Sequence, residues 1–512
     1  MEHILSVNNK IKNIQFLTKF CAKIKKNKNK KIVLCHGDFD VLHTGHLNYL
    51  LEAKKKGDYL IVSVTGKNFI NKGPDRPIND DNQRLFFLAN LSVVDFVVLD
   101  CNPTAETIIK SIKPDFYVKG RDYYLYNRKD DYSKNLKKEI ACTKRYGGEI
   151  IFTTNLTRSS SNIINNLFLK KDIKTKIDLI KKSYSYENFL KDIESFKNLK
   201  ILVIGETIID EYIYTDPLGK PSKENIIAAE YKNRKISLGG VFAAFKTFSL
   251  FSNKVDCLTA VSNKTKMTFP DEKYLIKNKK TIFDTKTNTI KTRFVENKHK
   301  TIKKIFEVYT NSFLELGKKT ENKVVKFLNK NIKKYDILLV NDYGHGFFNK
   351  KIINILSKKA KFLCVNAQIN AGNQGFNLIT KYNKADYYCI DEMEAMKAVN
   401  NNSLKTEELM NLLHKLVNGK NICITLGSRG SCIKKKKASI NFCPAFTNSI
   451  VDTISAGDIF FAISSLFLKI KSSSDIANFF GNVAGSIAVN QESSTTFSSK
   501  EVFLSYVNTL FK

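Results

Sequence analysis

His43 and His46 stand three residues apart around Gly45, in the run His36-Gly37-Asp38-Phe39-Asp40-Val41-Leu42-His43-Thr44-Gly45-His46. Two imidazoles at that spacing on the first turn of a helix can face one ligand. The backbone N–H groups of a helix N-terminus already favour an anion there. The chemistry that suits such a junction is the handling of a nucleotide phosphate. To place the pair, a strand must deliver the chain to a helix start. The apolar run Ile32-Val33-Leu34-Cys35 reads as a buried strand, and Leu47 to Lys54 carries a helical pattern.

The same alternation continues along the chain. Strands are expected at Ile32–Cys35, Tyr59–Val64, Phe96–Leu99, Phe116–Val118 and Glu149–Thr153, with helical stretches between them. That rhythm predicts a parallel α/β sheet. It stops near Leu167. Residues 1–30 read as a lysine-decorated helical extension, 31–168 as a first domain and 169–199 as a charged connector with a helical piece around Tyr186–Leu190. A second α/β block, 200–512, opens on Ile201-Leu202-Val203-Ile204. Its later strands are expected at Ile337–Val340, Phe362–Val365, Tyr387–Ile390 and Ile422–Leu426. The lysine-rich region 263–304 reads as lid strands or as a solvated loop.

With 512 residues the chain has room for about two to four domains, each with its own core. Its formal net charge of +35 comes from 84 Lys and Arg against 49 Asp and Glu. The lysines are spread throughout, beside many Asn and Ile, as AT-rich codon usage would produce. A nucleic-acid binder concentrates its charge on one face or tail, so the charge is assigned to attracting anionic substrates. Ten cysteines are scattered without a C-x-x-C pair, which argues against a disulfide framework or a zinc site. The polar, lysine-rich N-terminus has no apolar signal-like core, and no run approaches membrane-spanning length. These features set the expectation of a cytoplasmic, reducing location.

Four further motifs follow the histidines in order: Asn71-Lys72-Gly73-Pro74-Asp75-Arg76-Pro77-Ile78 with Gln83-Arg84, then Val118-Lys119-Gly120-Arg121-Asp122-Tyr123, then Gly147-Gly148-Glu149-Ile150, then Ser159-Ser160-Ser161-Asn162. Together with Gly37 to His46 they resemble the cytidylyltransferase-like superfamily over about residues 31–168. The branch they are most similar to handles sugar phosphates, typified by the heptose-phosphate adenylyltransferase domain. The resemblance implies a Rossmann-like domain in which a sugar 1-phosphate oxygen attacks the α-phosphorus of ATP or CTP and pyrophosphate leaves. Catalytic roles would fall to His43, His46 and Lys72. Gly37, Phe39, Asp40, Arg84, Asp122, Ser159 and Ser160 would hold the nucleotide, Arg84 as a second cationic clamp and Asp40 and Asp122 on hydroxyls. Mg2+ would arrive with the triphosphate, carried by phosphates and water. His36 stands where these relatives commonly carry Asn.

The second block resembles the ribokinase-like (PfkB) carbohydrate kinases. The residues that carry the likeness are Gly205-Glu206-Thr207-Ile208-Ile209-Asp210, Leu238-Gly239-Gly240, Asn341-Asp342-Tyr343-Gly344, Gly427-Ser428-Arg429-Gly430 and Val451-Asp452-Thr453-Ile454-Ser455-Ala456-Gly457-Asp458. The last matches D-T-x-G-A-G-D in all but one fixed position. By this resemblance Asp458 is the general base, Ala456 and Gly457 belong to the anion hole, and Gly427 and Gly430 line the cleft for ATP. Asp210, Gly239 and Gly240 face the sugar, and Glu394 helps organise Mg2+ indirectly. There are departures. Ser455 replaces the first glycine of the anion hole, Ala243 and Lys246 stand where Asn is usual, and Val365-Asn366-Ala367-Gln368 replaces a D-P-K-like run.

The expected function is a bifunctional enzyme. One domain would phosphorylate a sugar or sugar phosphate at the anomeric hydroxyl, and the other would convert the 1-phosphate into a nucleotide-activated, heptose-like sugar for surface polysaccharide. The pairing is similar to the bifunctional heptose kinase/adenylyltransferase with the domain order reversed. The expected partners are a small-molecule sugar phosphate and a nucleotide, with self-association left open and neither nucleic acid nor membrane involved. Two alternatives are a nucleotidylyltransferase with a degenerate, ligand-binding kinase domain and a basic nucleic-acid-binding protein.

Overall fold

The computed structural model describes residues 9–26, 30–70, 73, 76–120, 134–153, 169–262, 282–285, 288–298, 301–313, 315–447, 450–470, 472–491 and 499–511. The chain divides into two compact units, Met1–Lys170 with Leu504–Lys512, and Lys171–Phe503.

The first unit is built on a parallel sheet of β1 (Ile32–Gly37), β2 (Tyr59–Thr65), β3 (Phe96–Asp100), β4 (Phe116–Lys119) and β5 (Glu149–Phe152), in the order β3-β2-β1-β4-β5. Ile32, Val33, Leu34 and Cys35 are all fully buried, as a strand covered on both faces requires. β1 pairs with β2 on one side and β4 on the other, so the strand order reverses around it. In an open α/β sheet that reversal leaves a crevice at the C-terminal ends of the central strands. The chain leaves β1 directly into the His36–His46 run. Helix Ile14–Lys25 buries Leu17 and Cys21.

The second unit carries an eight-stranded sheet ordered β19-β18-β17-β16-β15-β14-β6-β9 and a four-stranded sheet ordered β13-β12-β7-β8. The strands are β6 (Lys200–Gly205), β7 (Thr207–Gly219), β8 (Ala228–Gly240), β9 (Lys254–Leu258), β10 (Ala260–Ser262), β11 (Ile282–Thr285), β12 (Thr289–Lys298) and β13 (Thr301–Thr310). They continue with β14 (Ile337–Asp342), β15 (Leu363–Ala367), β16 (Lys384–Asp391), β17 (Asn418–Thr425), β18 (Ser431–Lys435) and β19 (Ile440–Cys443). β9, β6 and β14 to β17 run parallel, and β18 and β19 close one edge antiparallel. β10 pairs with β11. The lysine-rich region thus contributes strands to the smaller sheet at 289–298 and 301–304; residues 263–281 lie outside the described residues.

One expectation changes. Residues 169–199, read as a connector, form the helices Lys171–Ser183 and Tyr186–Phe196. Phe189, Ile193 and Phe196 fall on one helical stripe and are buried. Phe189 stacks on Phe480 at 4.9 Å, and Phe196 meets Phe467 edge-on at 5.2 Å. The charged residues between them masked this stripe. No helix among the described residues is long and apolar enough to cross a membrane.

Candidate active sites

Helix Thr44–Lys54 starts three residues before the apolar pattern suggested, because His43 caps it. The His43 imidazole Nδ1 accepts the Gly45 N–H at 3.0 Å. Burial lowers the pKa of His43. A ring that accepts at Nδ1 and is neutral carries its proton at Nε2, so His43 is a neutral donor at that atom. His46 follows on the first turn, and the two rings lie 4.1 Å apart with planes inclined by 27°. Phe39, in the left-handed region at φ 48°, is buried between Gly37 and the rings of His46 and Tyr49. Its side chain is therefore packing beneath the histidines rather than a nucleotide contact.

Two residues expected on the ligand are committed elsewhere. Arg84 is fully buried. Its Nη1 donates to the Asp38 and Thr65 carbonyls at 2.6 and 2.8 Å, and Nη2 donates to Asp81 at 2.6 Å. It is a strut joining the end of β2 to the histidine loop, not a clamp on a triphosphate. Asp40 is buried too, with Oδ1 accepting from the Asn79 N–H at 3.0 Å and Oδ2 from Arg76 Nε at 3.3 Å. It braces residues 76–79 instead of holding a hydroxyl. His36 lies at the end of β1 with Nδ1 3.1 Å from Ser63 Oγ and Nε2 3.4 Å from Thr65 Oγ1. Lys72, Asp122, Ser159 and Ser160 lie outside the described residues. At the end of β4, buried Lys119 pairs with Glu139 at 3.2 Å, a pair that the quoted Val118-Lys119-Gly120 motif held without showing.

In the second unit, Asp458 occupies the first turn of helix Ala456–Lys469. It is not the cap; that position belongs to Ser455, which makes no side-chain cap bond. Asp458 Oδ1 accepts from Asn341 Nδ2 at 2.9 Å, Tyr343 Oη at 3.0 Å and Gln368 Nε2 at 3.5 Å. Among the described residues Oδ2 accepts no hydrogen bond. Burial is the main reason the Asp458 carboxyl is pushed up to about 7, with Asp210 adding to it. The arrangement suits a base that takes a proton at Oδ2 near neutrality.

Ser455 adopts φ 63°, a backbone that costs a residue with a Cβ about 1–2 kcal/mol. On the first turn of that helix, a Cβ on Gly457 would meet nothing within 4 Å, so Gly457 fronts open space. Gly427 is similarly open. Gly430, at φ 104°, is a packing glycine, since its Cβ would lie 2.0 Å from the Cys443 carbonyl.

Asp210 on β7 rests against Gly239, where a Cβ would fall 1.7 Å from Oδ2. Gly240, at φ 61°, closes the same turn. The sequence did not reveal what faces Asp210. Lys291 lies beside it in register on β12, and Arg293 pairs with it at 2.6 Å through Nη1 while holding Glu307 at 2.7 Å through Nε. Lys291 is buried, which lowers its pKa, and its ammonium lies 5.1 Å from the Tyr309 ring. It donates to no carboxylate within ion-pair distance among the described residues. His345 is buried with Nδ1 on the Ser312 carbonyl and Nε2 unpartnered; burial followed by Lys291 pulls its pKa down to about 4. Ala243 is buried in helix Val241–Ser249 and Lys246 lies on the same helix.

Glu394 accepts the N–H groups of Ile369 and Asp391 at 2.9 and 2.8 Å, and burial pushes it up to about 8. It borders a cavity of about 340 Å3 with Asn370, Gln374, Asp391 and Lys397. Both carboxylate oxygens are thus engaged by backbone. No group of three His, Cys, Asp or Glu side chains among the described residues could hold a metal. An ion carried by phosphates and water would need no such group of side chains, and the contacts of Glu394 here are to the backbone.

Family comparisons agree with this geometry. Residues 34–209 match the cytidylyltransferase-like family, and residues 278–501 match the pfkB family of carbohydrate kinases. The chain joins a cytidylyltransferase-like domain to a pfkB-type kinase domain. Among curated proteins it is similar to the bifunctional protein HldE of Blochmanniella pennsylvanica, 41% identical over 142 residues, covering 27% of this chain and 28% of that protein. The HldE of Aliarcobacter butzleri is 39% identical over 149 residues, covering 29% and 30%. The chain therefore spans under a third of the length of these relatives. Among solved structures, a ribokinase from Thermotoga maritima superposes with a TM-score of 0.48 at 18% identity, covering 60% of this chain and 99% of that one. The fold is α/β throughout, Rossmann-like in the first unit and ribokinase-like in the second.

Proposed function

We propose that the chain is a bifunctional sugar kinase and sugar-1-phosphate nucleotidylyltransferase. It would build a nucleotide-activated, heptose-like sugar for surface polysaccharide. In the kinase step the anomeric oxygen of the acceptor attacks the γ-phosphorus of ATP, the bond to the β-phosphoryl oxygen breaks and ADP leaves. The hydroxyl proton passes to Asp458 Oδ2, while Asn341, Tyr343 and Gln368 hold Oδ1. Mg2+ neutralises the phosphates when bound. In the nucleotidyl step the resulting 1-phosphate, already ionised, attacks the α-phosphorus of ATP or CTP and pyrophosphate leaves. No proton has to be removed, so the protein's part is alignment and charge stabilisation. His43 Nε2–H and His46 serve that end, with Lys72, Asp122, Ser159 and Ser160 as further proposed contacts.

The observation that carries the two-activity reading is Asp458, a buried carboxyl held at one oxygen and open at the other. The buried cation Lys291 favours an acceptor that already bears a phosphate. The test is a screen of sugars and sugar phosphates that reads ADP and pyrophosphate separately. ADP formed by wild type and lost in Asp458→Asn, with pyrophosphate release retained on supplied sugar 1-phosphate, is the expected result. Absence of ADP on every acceptor would remove the kinase half.

A second reading keeps only nucleotidyl transfer and leaves the kinase domain as a ligand-binding partner. It is favoured by Ser455 in the left-handed region at the anion hole and by the Arg293 ion pair that occupies Asp210.

A further inference from the structure

Arg76 and Arg84 both reach the loop that carries His43, and they differ in what their guanidinium groups hold. Every Nη contact of Arg84 ends on a protein oxygen. The Arg76 side chain is 3% exposed, yet among the described residues its hydrogen-bond partner is Asp40, 3.3 Å from Nε, and its buried Nη1 meets no acceptor there. A buried charged donor left unmet is costly, because it has lost water without gaining a partner. Retention of such a group calls for an explanation. A second argument comes from place. Asp40 lies three residues before His43, and the Asn79 N–H anchors it from the same segment that presents Arg76. The brace therefore ties the guanidinium to the loop that positions the histidine. A guanidinium edge is matched to a phosphoryl group, whose paired oxygens accept its paired N–H donors.

We propose that Arg76 is a further substrate-holding residue of the nucleotidyl-transfer site, its free Nη edge taking a phosphoryl oxygen of either the triphosphate or the sugar 1-phosphate. This rests on the nucleotidyl-transfer reading of the first unit. The carboxylate of Asp40 orients the guanidinium through Nε and leaves the rest of the fork for the ligand.

Isothermal titration of the full chain with inorganic pyrophosphate and, separately, with mannose 1-phosphate distinguishes the two sources. His46→Ala marks which heat belongs to the histidine site. Arg76→Lys keeps the charge beside Asp40 but removes the fork. It is expected to weaken one of the two probes by about tenfold or more, with a melting midpoint within about 2 °C of wild type. The probe that weakens names the phosphate that Arg76 holds. Unchanged affinity for both probes overturns the proposal. Arg76→Gln serves as the second variant, and if both variants are unfolded at 25 °C the residue is structural and the proposal falls. Should wild type bind neither probe at the histidine site, the nucleotidyl-transfer reading itself fails with it.

Discussion

The histidine junction of the first unit and the Asp458 junction of the second solve one problem in opposite ways. The first follows a parallel strand and the second a loop after the antiparallel edge strand β19, and each leads into a helix start. In the first, a side chain proposed for the reaction is itself the cap: His43 Nδ1 takes the Gly45 N–H, which leaves the proton of the neutral ring on Nε2. In the second, the cap residue Ser455 makes no side-chain cap bond and bends into the left-handed region, and a Cβ on Gly457 in the first turn would meet nothing within 4 Å. On the proposed reading, the first site offers phosphate its side-chain donors, and the second offers a carboxyl base. The difference follows the chemistry. A sugar 1-phosphate needs no deprotonation, whereas a sugar hydroxyl does.

This contrast can be broken in several places. Asp458→Asn removes the base and is expected to lower ADP formation by about 10^2 to 10^4-fold, leaving pyrophosphate release on supplied 1-phosphate unchanged; parallel loss of both activities would merge the sites. His43→Ala removes a donor to the reacting phosphate and should cost about 10^2 to 10^3-fold in pyrophosphate release, read in the same two-product assay. The pH profiles should also separate. Because Asp458 is raised to about 7, its basic form is present above that value and is lost as pH falls through it. The ADP rate should then drop about tenfold per pH unit below 7. Burial lowers the pKa of His43, which extends its neutral form toward lower pH, so pyrophosphate release should fall at lower pH than ADP formation does, which stopped-flow mixing at fixed ionic strength can check. The smallest effect is expected from Ser455→Gly. Relief of the left-handed strain should raise stability by about 1 kcal/mol in urea unfolding, without loss of the kinase rate.

The sequence made both junctions legible because each is a local pattern: two histidines around a glycine, and an aspartate closing a strand–loop–helix run. The alternation of apolar strands likewise announced both sheets. What it hid depends on long-range partners. Arg84 and Asp40 have the charges of ligand contacts, and only the fold shows that the Asp38 and Thr65 carbonyls, Arg76 and Asn79 occupy them. Lys291 and Arg293 were lost in a lysine-rich stretch. Their side of β12 is inward, while Ile290, Thr292 and Phe294 are more exposed, inverting the usual placement of charge. The period-2 spacing of Lys291 and Arg293 beside β-branched residues was the available signal. Of the 169–199 helices, the piece around Tyr186–Leu190 was legible, but its buried stripe was not, with Phe189, Ile193 and Phe196 set among charges.

The most direct test mixes the full chain with ATP, CTP and a panel of sugars and sugar phosphates with a free anomeric hydroxyl, and follows ADP and pyrophosphate together. The account predicts that ADP appears first and pyrophosphate after a lag in wild type. Asp458→Asn should abolish both unless 1-phosphate is supplied, and His46→Ala should leave ADP while removing pyrophosphate. Pyrophosphate release that starts without a lag and survives Asp458→Asn on an unphosphorylated anomeric position would contradict it.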